Sequence, residues 1–154
     1  MKKKSIGAFC LGVFVGGVFW FGEHRELVKQ KKNTGKYLTL FRWMNQYVVT
    51  KQVGKSIIEY FKKNGYKKIA IYGMSHMGQR IIDDLENSDV EVLYGIDKRA
   101  DRLSCELPIY KPEEDYPNVD VIVVTAYDFD EISNYLQEKV DCEIVAFDDI
   151  IFGI

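Results

Sequence analysis

The amino-acid sequence predicts an α/β fold built on a parallel sheet of five strands in the order 3-2-1-4-5, preceded by an N-terminal transmembrane helix and two amphipathic helices. Three observations lead to this prediction. Apolar, β-branched runs alternate with helical patterns after residue 66, a glycine turn follows the first of these runs, and an uncharged apolar stretch lies near the N-terminus. Strands that alternate with helices pair in parallel through right-handed crossovers.

Length and composition describe a chain with room for one globular domain. Of its 154 residues, 47% are hydrophobic and only three are prolines, as in folded chains with an apolar core. The net charge of −2 argues against a dedicated nucleic-acid-binding protein. Cys10, Cys105 and Cys142 form neither a C-x-x-C pair nor a metal-ligand spacing, so we expect inert thiols and no metal site.

Residues 1–22 are predicted to form a membrane anchor. Lysines at positions 2–4 precede residues 5–22, which carry no charge and are mostly apolar. These eighteen residues make a helix of about 27 Å, which is just long enough for the hydrocarbon core of a bilayer. A cleaved signal peptide has a similar pattern, but no A-x-A-like site follows, and three aromatic residues at 19–21 are typical of an interfacial anchor.

The charges on either side of the anchor predict its orientation. Three lysines precede it, whereas Arg25, Lys29, Lys31, Lys32 and Lys36 follow it. The positive-inside rule therefore favours a single-pass protein of the cell membrane, with its soluble domain in the cytoplasm.

Small residues recur within the anchor. Ala8, Gly12 and Gly16 are spaced four apart, which bares one face of a helix for close approach by another helix. This spacing raises the hypothesis of a homodimer, although small residues are common in membrane helices.

Residues 23–35 and residues 36–66 have different patterns. The first segment is polar and basic, and we interpret it as a juxtamembrane linker near anionic head groups or as a solvated continuation of the anchor helix. The second is predicted to form two helices. The apolar, packing face of the first helix is expected to contain Tyr37, Leu40, Phe41, Met44, Tyr47 and Val48. The second is predicted to begin near residue 55, and Gly65 is placed to end it.

Residues 67–154 are predicted to form a Rossmann-like nucleotide-binding domain, because a glycine fingerprint follows the first apolar run. Gly73 and Gly78 hold the first and last glycine positions of G-x-G-x-x-G, and Ser75 stands at the middle one. Asp97 closes the next apolar run about 20 residues later, as that motif requires. The first glycine permits a sharp turn and the last lets the helix pack close to the strand, a geometry that also occurs for structural reasons alone.

This turn is predicted to bind the phosphates of a nucleotide, with NAD(P) or another nucleotide as the candidate cofactor. Free N–H groups at the helix start and the positive end of the helix dipole attract a phosphate. The predicted cofactor-binding residues are Gly73, Met74, Ser75, His76, Met77, Gly78, Asp97, Lys98 and Thr125.

Three of these residues leave alternatives open. The Ser75 hydroxyl is able to donate to a phosphate oxygen, but its Cβ stands in the phosphate path. Asp97 is placed to accept a hydrogen bond from an adenosine ribose, or else is an ordinary turn residue at a strand end. His76, in the loop, either contacts a ligand or faces solvent.

The remaining elements alternate as a parallel sheet requires. Helices are predicted over residues 79–86 and 130–140, strands over residues 90–96, 107–110, 119–125 and 143–147, and a last helical turn over residues 149–152. The ligand crevice of such a sheet lies where the strand order reverses, between the first and fourth strands.

Catalytic motifs are sparse, and we assign no catalytic residue. Tyr47 with Lys51 and Tyr135 with Lys139 match the Y-x-x-x-K of short-chain dehydrogenases, but neither pair lies at the distance from the glycine turn that this family requires. We interpret both pairs as helix surface. The sequence contains no nucleophile elbow, P-loop or paired-carboxylate motif, so it leans against an enzyme.

From residue 67 onwards the chain resembles a known family. The similarity lies in the segments IAIYGMSHMGQRIIDDL, VLYGIDKRA, LPIYKPEE, VDVIVVTAYDFDEISNYL and EIVAFDDII. In this order they resemble the Rossmann-like, CoA-binding-type domain of bacterial membrane-linked nucleotide-sugar epimerase/dehydratases and sugar-phosphate transferases of capsule and O-antigen synthesis. In that family the domain is usually accessory to a catalytic domain. The resemblance implies a nucleotide-binding module in which Ser75 replaces the usual middle glycine.

Two functional hypotheses follow. The first is a membrane-anchored accessory module that binds a nucleotide or nucleotide sugar and acts with enzymes of bacterial surface polysaccharide biosynthesis. The alternative is an NAD-dependent oxidoreductase or epimerase subunit that completes its site with a partner chain or by oligomerisation. The sequence favours the first hypothesis, because it contains no recognisable substrate-binding domain.

Overall fold

The computed structural model describes the backbone of residues 3–154 and the side chains of residues 24–154. The chain divides into two units, Met1–Thr39 and Leu40–Ile154. The second unit contains all five strands of the sheet and the helices that cover it.

The first helix, α1, spans Lys3–Gln52. Residues 23–35, for which a linker or a continuation of the anchor helix was expected, are therefore helical. The predicted anchor, residues 5–22, lies outside the residues whose side chains are described. Among the described residues, no helix has the length and apolar character that crossing a membrane requires.

Only half of the predicted packing face of α1 meets the core. Trp43 is only 6% exposed, and Leu40, Met44 and Tyr47 pack against the same core cluster. Three residues of the predicted packing face are instead exposed: Tyr37, Phe41 and Val48. The prediction is wrong for these three, because the helix carries apolar residues on two sides and periodicity alone does not decide which side meets the core.

Helix α2 spans Ile57–Asn64 and ends where its capping residues predict. Ser56 is the N-cap residue, and its hydroxyl oxygen accepts a hydrogen bond from the N–H of Ile58 at 3.3 Å. Gly65 ends the helix in the left-handed conformation, with a φ of 76°. Phe61 is fully buried, so α2 covers one face of the sheet.

Five parallel strands form the sheet in the predicted order 3-2-1-4-5. They are β1 (Lys68–Tyr72), β2 (Glu91–Ile96), β3 (Ile109–Tyr110), β4 (Val121–Val124) and β5 (Glu143–Ala146). The prediction of a Rossmann-like α/β sheet is therefore confirmed. Strand β3 is shorter than predicted and pairs only with Gly95 and Ile96 of β2.

Three further helices complete the domain: α3 (His76–Leu85), α4 (Phe129–Gln137) and α5 (Phe147–Gly153), and a 3-10 turn spans Ala100–Arg102. Helix α3 begins earlier than the predicted residue 79, so His76 is its first residue and not a loop residue. Helix α5 includes Phe147, the last residue of the predicted final strand, and buries its side chain completely.

The two faces of the sheet are buried by different helices. On one face, Ile69 and Ile71 of β1 lie in a cluster with core residues of α1, α2, α3 and α5. On the other face, Ile122 and Val124 of β4 lie in a cluster with Leu136 of α4. Successive side chains of a strand point to opposite faces, so the central strands are buried on both sides, as their continuous apolar runs indicate.

Asp120, just before β4, joins the amino ends of the two central strands. Its Oδ2 accepts hydrogen bonds from the N–H groups of Lys67 and Lys68, at 2.7 and 2.8 Å. The hydrogen bonds from Lys68 and Lys67, assisted by the two lysine charges, lower the pKa of the Asp120 carboxyl below its usual range. The ionised carboxylate is therefore the form that holds the start of β1 beside β4.

We expect Asp120→Asn to lower the free energy of unfolding at neutral pH, because an amide oxygen accepts these N–H groups more weakly than a carboxylate. Since the folded-state pKa is lowered, the contribution of Asp120 is present above the carboxyl pKa of the unfolded chain and is lost as the pH falls through the folded-state value. Urea unfolding of both proteins from neutral pH down to a pH of about 3 measures this effect. The difference in free energy of unfolding between Asp120→Asn and the wild type should become smaller as the pH falls.

Asp141→Asn is the matched control for this experiment, because Asp141 is an exposed carboxylate near the start of β5. It should leave the free energy of unfolding unchanged. A loss of stability in Asp120→Asn that is equal at both ends of the pH range would contradict the assigned role of the carboxylate.

Candidate functional site

The candidate site is the turn between β1 and α3, where the carboxyl ends of β1 and β4 lie side by side. Gly73 directly follows β1 and has a φ of 98°, a conformation that L side chains rarely adopt. A Cβ on Gly73 would also lie 2.8 Å from Oγ1 of Thr125. The first fingerprint position therefore needs glycine for its backbone conformation and for space.

The last fingerprint glycine brings α3 against this turn. A Cβ on Gly78 would lie 2.5 Å from the carbonyl oxygen of Gly73 and 3.3 Å from Cγ2 of Ile71. The first distance is too short for a real Cβ beside a backbone atom. Only glycine allows α3 to approach β1 this closely, which is the role that the fingerprint gives to its last glycine.

Ser75 is the N-cap residue of α3 and has an extended backbone. Its carbonyl oxygen accepts a hydrogen bond from the N–H of Gln79 at 3.1 Å, but its side chain makes no cap hydrogen bond. The first N–H groups of α3 thus lack the side-chain acceptor that an N-cap serine usually supplies. Ser75 and His76 are exposed, so the start of α3 is open to solvent.

Asp97, which follows β2, lies beside the turn as predicted, but its carboxylate is already engaged. Its Oδ2 accepts a hydrogen bond from the N–H of Met74 at 3.0 Å, and its Oδ1 accepts one from the N–H of Arg99 at 2.8 Å. The residue is only 8% exposed. Asp97 therefore connects the end of β2 to the glycine turn, and each of its oxygens has a partner within the domain.

Thr125, which follows β4, holds the turn from the other side. Its Oγ1 donates to the carbonyl oxygen of Gly73 at 2.5 Å and also lies 3.2 Å from that of Tyr72. The N–H of Thr125 donates to the same Tyr72 oxygen at 2.8 Å. Because Thr125 is only 4% exposed, its hydroxyl fixes the position of the turn and does not face the crevice.

The other predicted residues have different positions. The side chain of Met77 is fully buried in the core, whereas Lys98 is exposed. The side chain of Met74 lies over Gly95 of β2, where an added Cβ would come within 2.7 Å of the Met74 Cγ. Sequence reasoning missed Gly95, although an isolated glycine inside a strand pattern indicates a close approach of this kind.

Tyr135 of α4 and Lys139, which follows the end of that helix, hold the loop that contains Pro112. The Tyr135 hydroxyl and Lys139 Nζ both donate to the carbonyl oxygen of Pro112, each at 2.9 Å. Lys139 also donates to the carbonyl oxygen of Glu114 at 2.7 Å, and its Nζ lies 5.0 Å from the ring centroid of Tyr116. This Y-x-x-x-K pair is therefore more than helix surface, since it fastens the loop to α4.

The second Y-x-x-x-K pair joins α1 to α3. Lys51 Nζ donates to Oδ1 of Asp84 at 2.7 Å. Burial, followed by a hydrogen bond to Asp84, raises the pKa of Tyr47 above its usual range. A raised tyrosine pKa opposes the proton transfer for which short-chain dehydrogenases use this residue.

Two cavities of the domain lie away from the glycine turn. One, of about 480 Å³, borders Asp120, Asp141 and Cys142 at the amino ends of β4 and β5. Burial raises the pKa of the Cys142 thiol, which opposes its activation as a nucleophile. The other, of about 560 Å³, lies between α3 and β2. No group of side chains in the described part of the chain is arranged to hold a metal ion.

Comparisons with protein-family models, with curated proteins and with solved structures give no match to this chain. The resemblance of residues 67–154 to the CoA-binding-type domain therefore rests on the sequence segments and stays a prediction. The sheet topology and the geometry of the glycine turn are independent of it.

We expect Gly78→Ala to lower the free energy of unfolding by about 1–3 kcal/mol, the usual cost of an extra methyl group in a site with no room for it. The new methyl group would press against the carbonyl oxygen of Gly73. Chemical denaturation of the variant and the wild type measures the difference.

Gly153→Ala in α5 is the matched control, because nothing lies within 4 Å of its added Cβ and its φ is not positive. It should leave stability unchanged or raise it slightly, since alanine favours helix over glycine. Wild-type stability in Gly78→Ala would show that α3 does not approach β1 as closely as described.

Proposed function

We propose that this protein is a membrane-anchored accessory module that binds a nucleotide or nucleotide sugar, with the phosphates over the turn of residues 73–78. One observation carries the proposal. Gly73 and Gly78 place the start of α3, exposed and without a side-chain cap, at the carboxyl edge of a parallel sheet. Ligands of such sheets bind at this edge, where the strand order reverses.

The electrostatics of the turn favour an anion. The N–H groups at the start of α3 and the positive end of its dipole are suited to phosphate oxygens. The exposed Ser75 adds a hydroxyl donor, and the exposed side chain of Lys98 adds positive charge after β2, whereas the Arg99 guanidinium is paired with Asp97 at 3.6 Å. NAD(P), CoA and UDP-sugars all carry the diphosphate group that this arrangement suits.

The contacts of Asp97 and Thr125 separate the residues that position the turn from those that contact the ligand. Both side chains hydrogen-bond within the turn, so we assign them to its positioning and not to the ligand. Ser75, the backbone N–H groups that follow it and Lys98 are then the groups that contact the ligand. In this arrangement Asp97 does not accept a hydrogen bond from the ribose, which is the usual role of an acidic residue at this position.

The proposal also includes the site of action. We propose that residues 5–22 tether the module to the cytoplasmic face of the membrane, beside enzymes of surface polysaccharide synthesis. The support for this lies in the sequence: the uncharged segment, the basic flank after it, and the resemblance of residues 67–154. The alternative, an NAD-dependent oxidoreductase or epimerase subunit, gains no support, because both tyrosine–lysine pairs make structural contacts.

Ser75→Asp should weaken nucleotide binding at least about tenfold while leaving the fold intact. Aspartate is as good an N-cap residue as serine, but its negative charge would repel a phosphate at the turn. Calorimetric titration of the full-length chain in nonionic detergent with NAD, NADP, CoA and UDP-glucose measures the affinity.

Ser56→Asp, the same change at the N-cap of α2, is the matched control and should leave the affinity unchanged. Ser75→Gly removes a Cβ from the phosphate path and should preserve or tighten binding. If neither the wild type nor Ser75→Gly gives heat with any of the four nucleotides, the turn keeps its shape without a ligand and the proposal is wrong.

The intact chain should sediment with membranes and resist carbonate extraction, whereas a chain that lacks residues 1–22 should remain soluble. Val13→Arg is a point-variant counterpart, because a charge at the centre of residues 5–22 costs about 2.5–3.5 kcal/mol on insertion. Immunoblots of the membrane and soluble fractions measure the distribution. Recovery of the intact chain in the soluble fraction, or a mature N-terminus near Glu23, would refute the anchor.

A further inference from the structure

A groove between α3 and the outer edge of β2 lies apart from the glycine turn. Its volume of about 560 Å³ falls in the range of roughly 300–1,000 Å³ that ligand-binding sites occupy. Its apolar lining includes Ile82, Val92 and Leu107. Its acidic lining includes Glu86, Glu91 and Glu106, which we call the acidic rim.

The groove is lined by Glu91 and Val92, in a stretch of β2 that has no neighbouring strand on its outer side. Strand β3 pairs only with Gly95 and Ile96, so residues 91–94 have a partner strand on one side alone within the described domain. An unpaired strand edge presents backbone N–H and C=O groups to which an extended peptide adds. This shape favours a peptide strand over a compact small molecule.

The charge of the groove indicates which peptide fits. The three carboxylates of the acidic rim are exposed, and none of them has an ion pair or a side-chain hydrogen bond among residues 24–154. A further acidic residue of the groove, Asp83, is already paired with Arg80 at 3.0 Å. None of the described residues that line the groove is basic. The rim therefore complements lysine or arginine side chains.

We propose that this groove binds an extended peptide segment of a partner protein, in which basic and apolar residues alternate, as an added strand beside β2. Successive side chains of an extended segment point in opposite directions. Every second side chain therefore faces the apolar lining, and the intervening basic ones reach the acidic rim. The inference is independent of nucleotide binding, because it uses none of the residues of the glycine turn.

Fluorescence anisotropy of a labelled KVKVK pentapeptide with the full-length chain, in nonionic detergent micelles, tests the proposal. The peptide should bind saturably, whereas EVEVE should not, because the rim repels it. KGKGK should bind much more weakly, because it leaves the apolar lining uncovered. Equal affinities for KVKVK and KGKGK would show that only charge contributes to binding, which would overturn the proposal.

A triple variant tests the rim itself. Glu86→Gln, Glu91→Gln and Glu106→Gln together should weaken KVKVK binding by about tenfold or more, because three surface charge pairs are lost at once. The matched control changes three exposed carboxylates elsewhere, Glu113→Gln, Glu131→Gln and Glu138→Gln, and alters the net charge equally. An equal loss of affinity in both variants, or no loss in the first, would contradict the proposal.

Amide hydrogen exchange locates the peptide. Bound KVKVK should slow exchange at Glu91 and Val92, which line the groove at the open edge of β2, and in the neighbouring segment 104–107. Protection confined to residues 117–120 and 140–143, which line the other cavity, would assign the peptide to a different site and exclude the groove.

Discussion

The close approach of α3 to the carboxyl end of β1 is the constraint on which the candidate site depends. It requires that two positions, Gly73 and Gly78, have no side chain, because a Cβ at either would meet atoms of the turn or of Thr125. Strand β1 lies at the centre of the sheet and pairs with both β2 and β4. The turn after it is therefore held from two sides, by Asp97 after β2 and by Thr125 after β4.

The contacts that build this turn also decide which groups are left for a ligand. The hydroxyl of Thr125 and both oxygens of Asp97 are engaged within the domain, so the open donors are those at the start of α3. Helix α3 contributes Ile82 to the groove beside β2, and its C-cap residue Glu86 lines the same groove. The start of α3 thus belongs to the proposed nucleotide site, and the end of α3 belongs to the proposed peptide groove.

Most of the fold could be predicted because its signals are local. The β-branched run of β4 and the glycine after β1 mark the central strands, and Ser56 and Gly65 mark the ends of α2. The elements that were predicted poorly depend on distant neighbours. Strand β3 is only two residues long, since it pairs with the end of β2 alone. In α1, Trp43 faces the core instead of Phe41, because Phe147 and other residues of α5 lie on that side.

By itself, the sequence determined the strand order, the glycine turn and the presence of Asp97 and Thr125 at the carboxyl edge of the sheet. The strands and the glycine turn follow from periodicity and turn chemistry within short stretches, and the strand order follows from the alternation of strands and helices along the chain. Only the tertiary structure decided what those residues bond to. Asp97 is 23 residues from Met74 in the chain, and Thr125 is 52 residues from Gly73. Their hydrogen bonds form because packing brings the ends of β1, β2 and β4 together. A local sequence pattern contains no information about such contacts between residues that are distant in the chain.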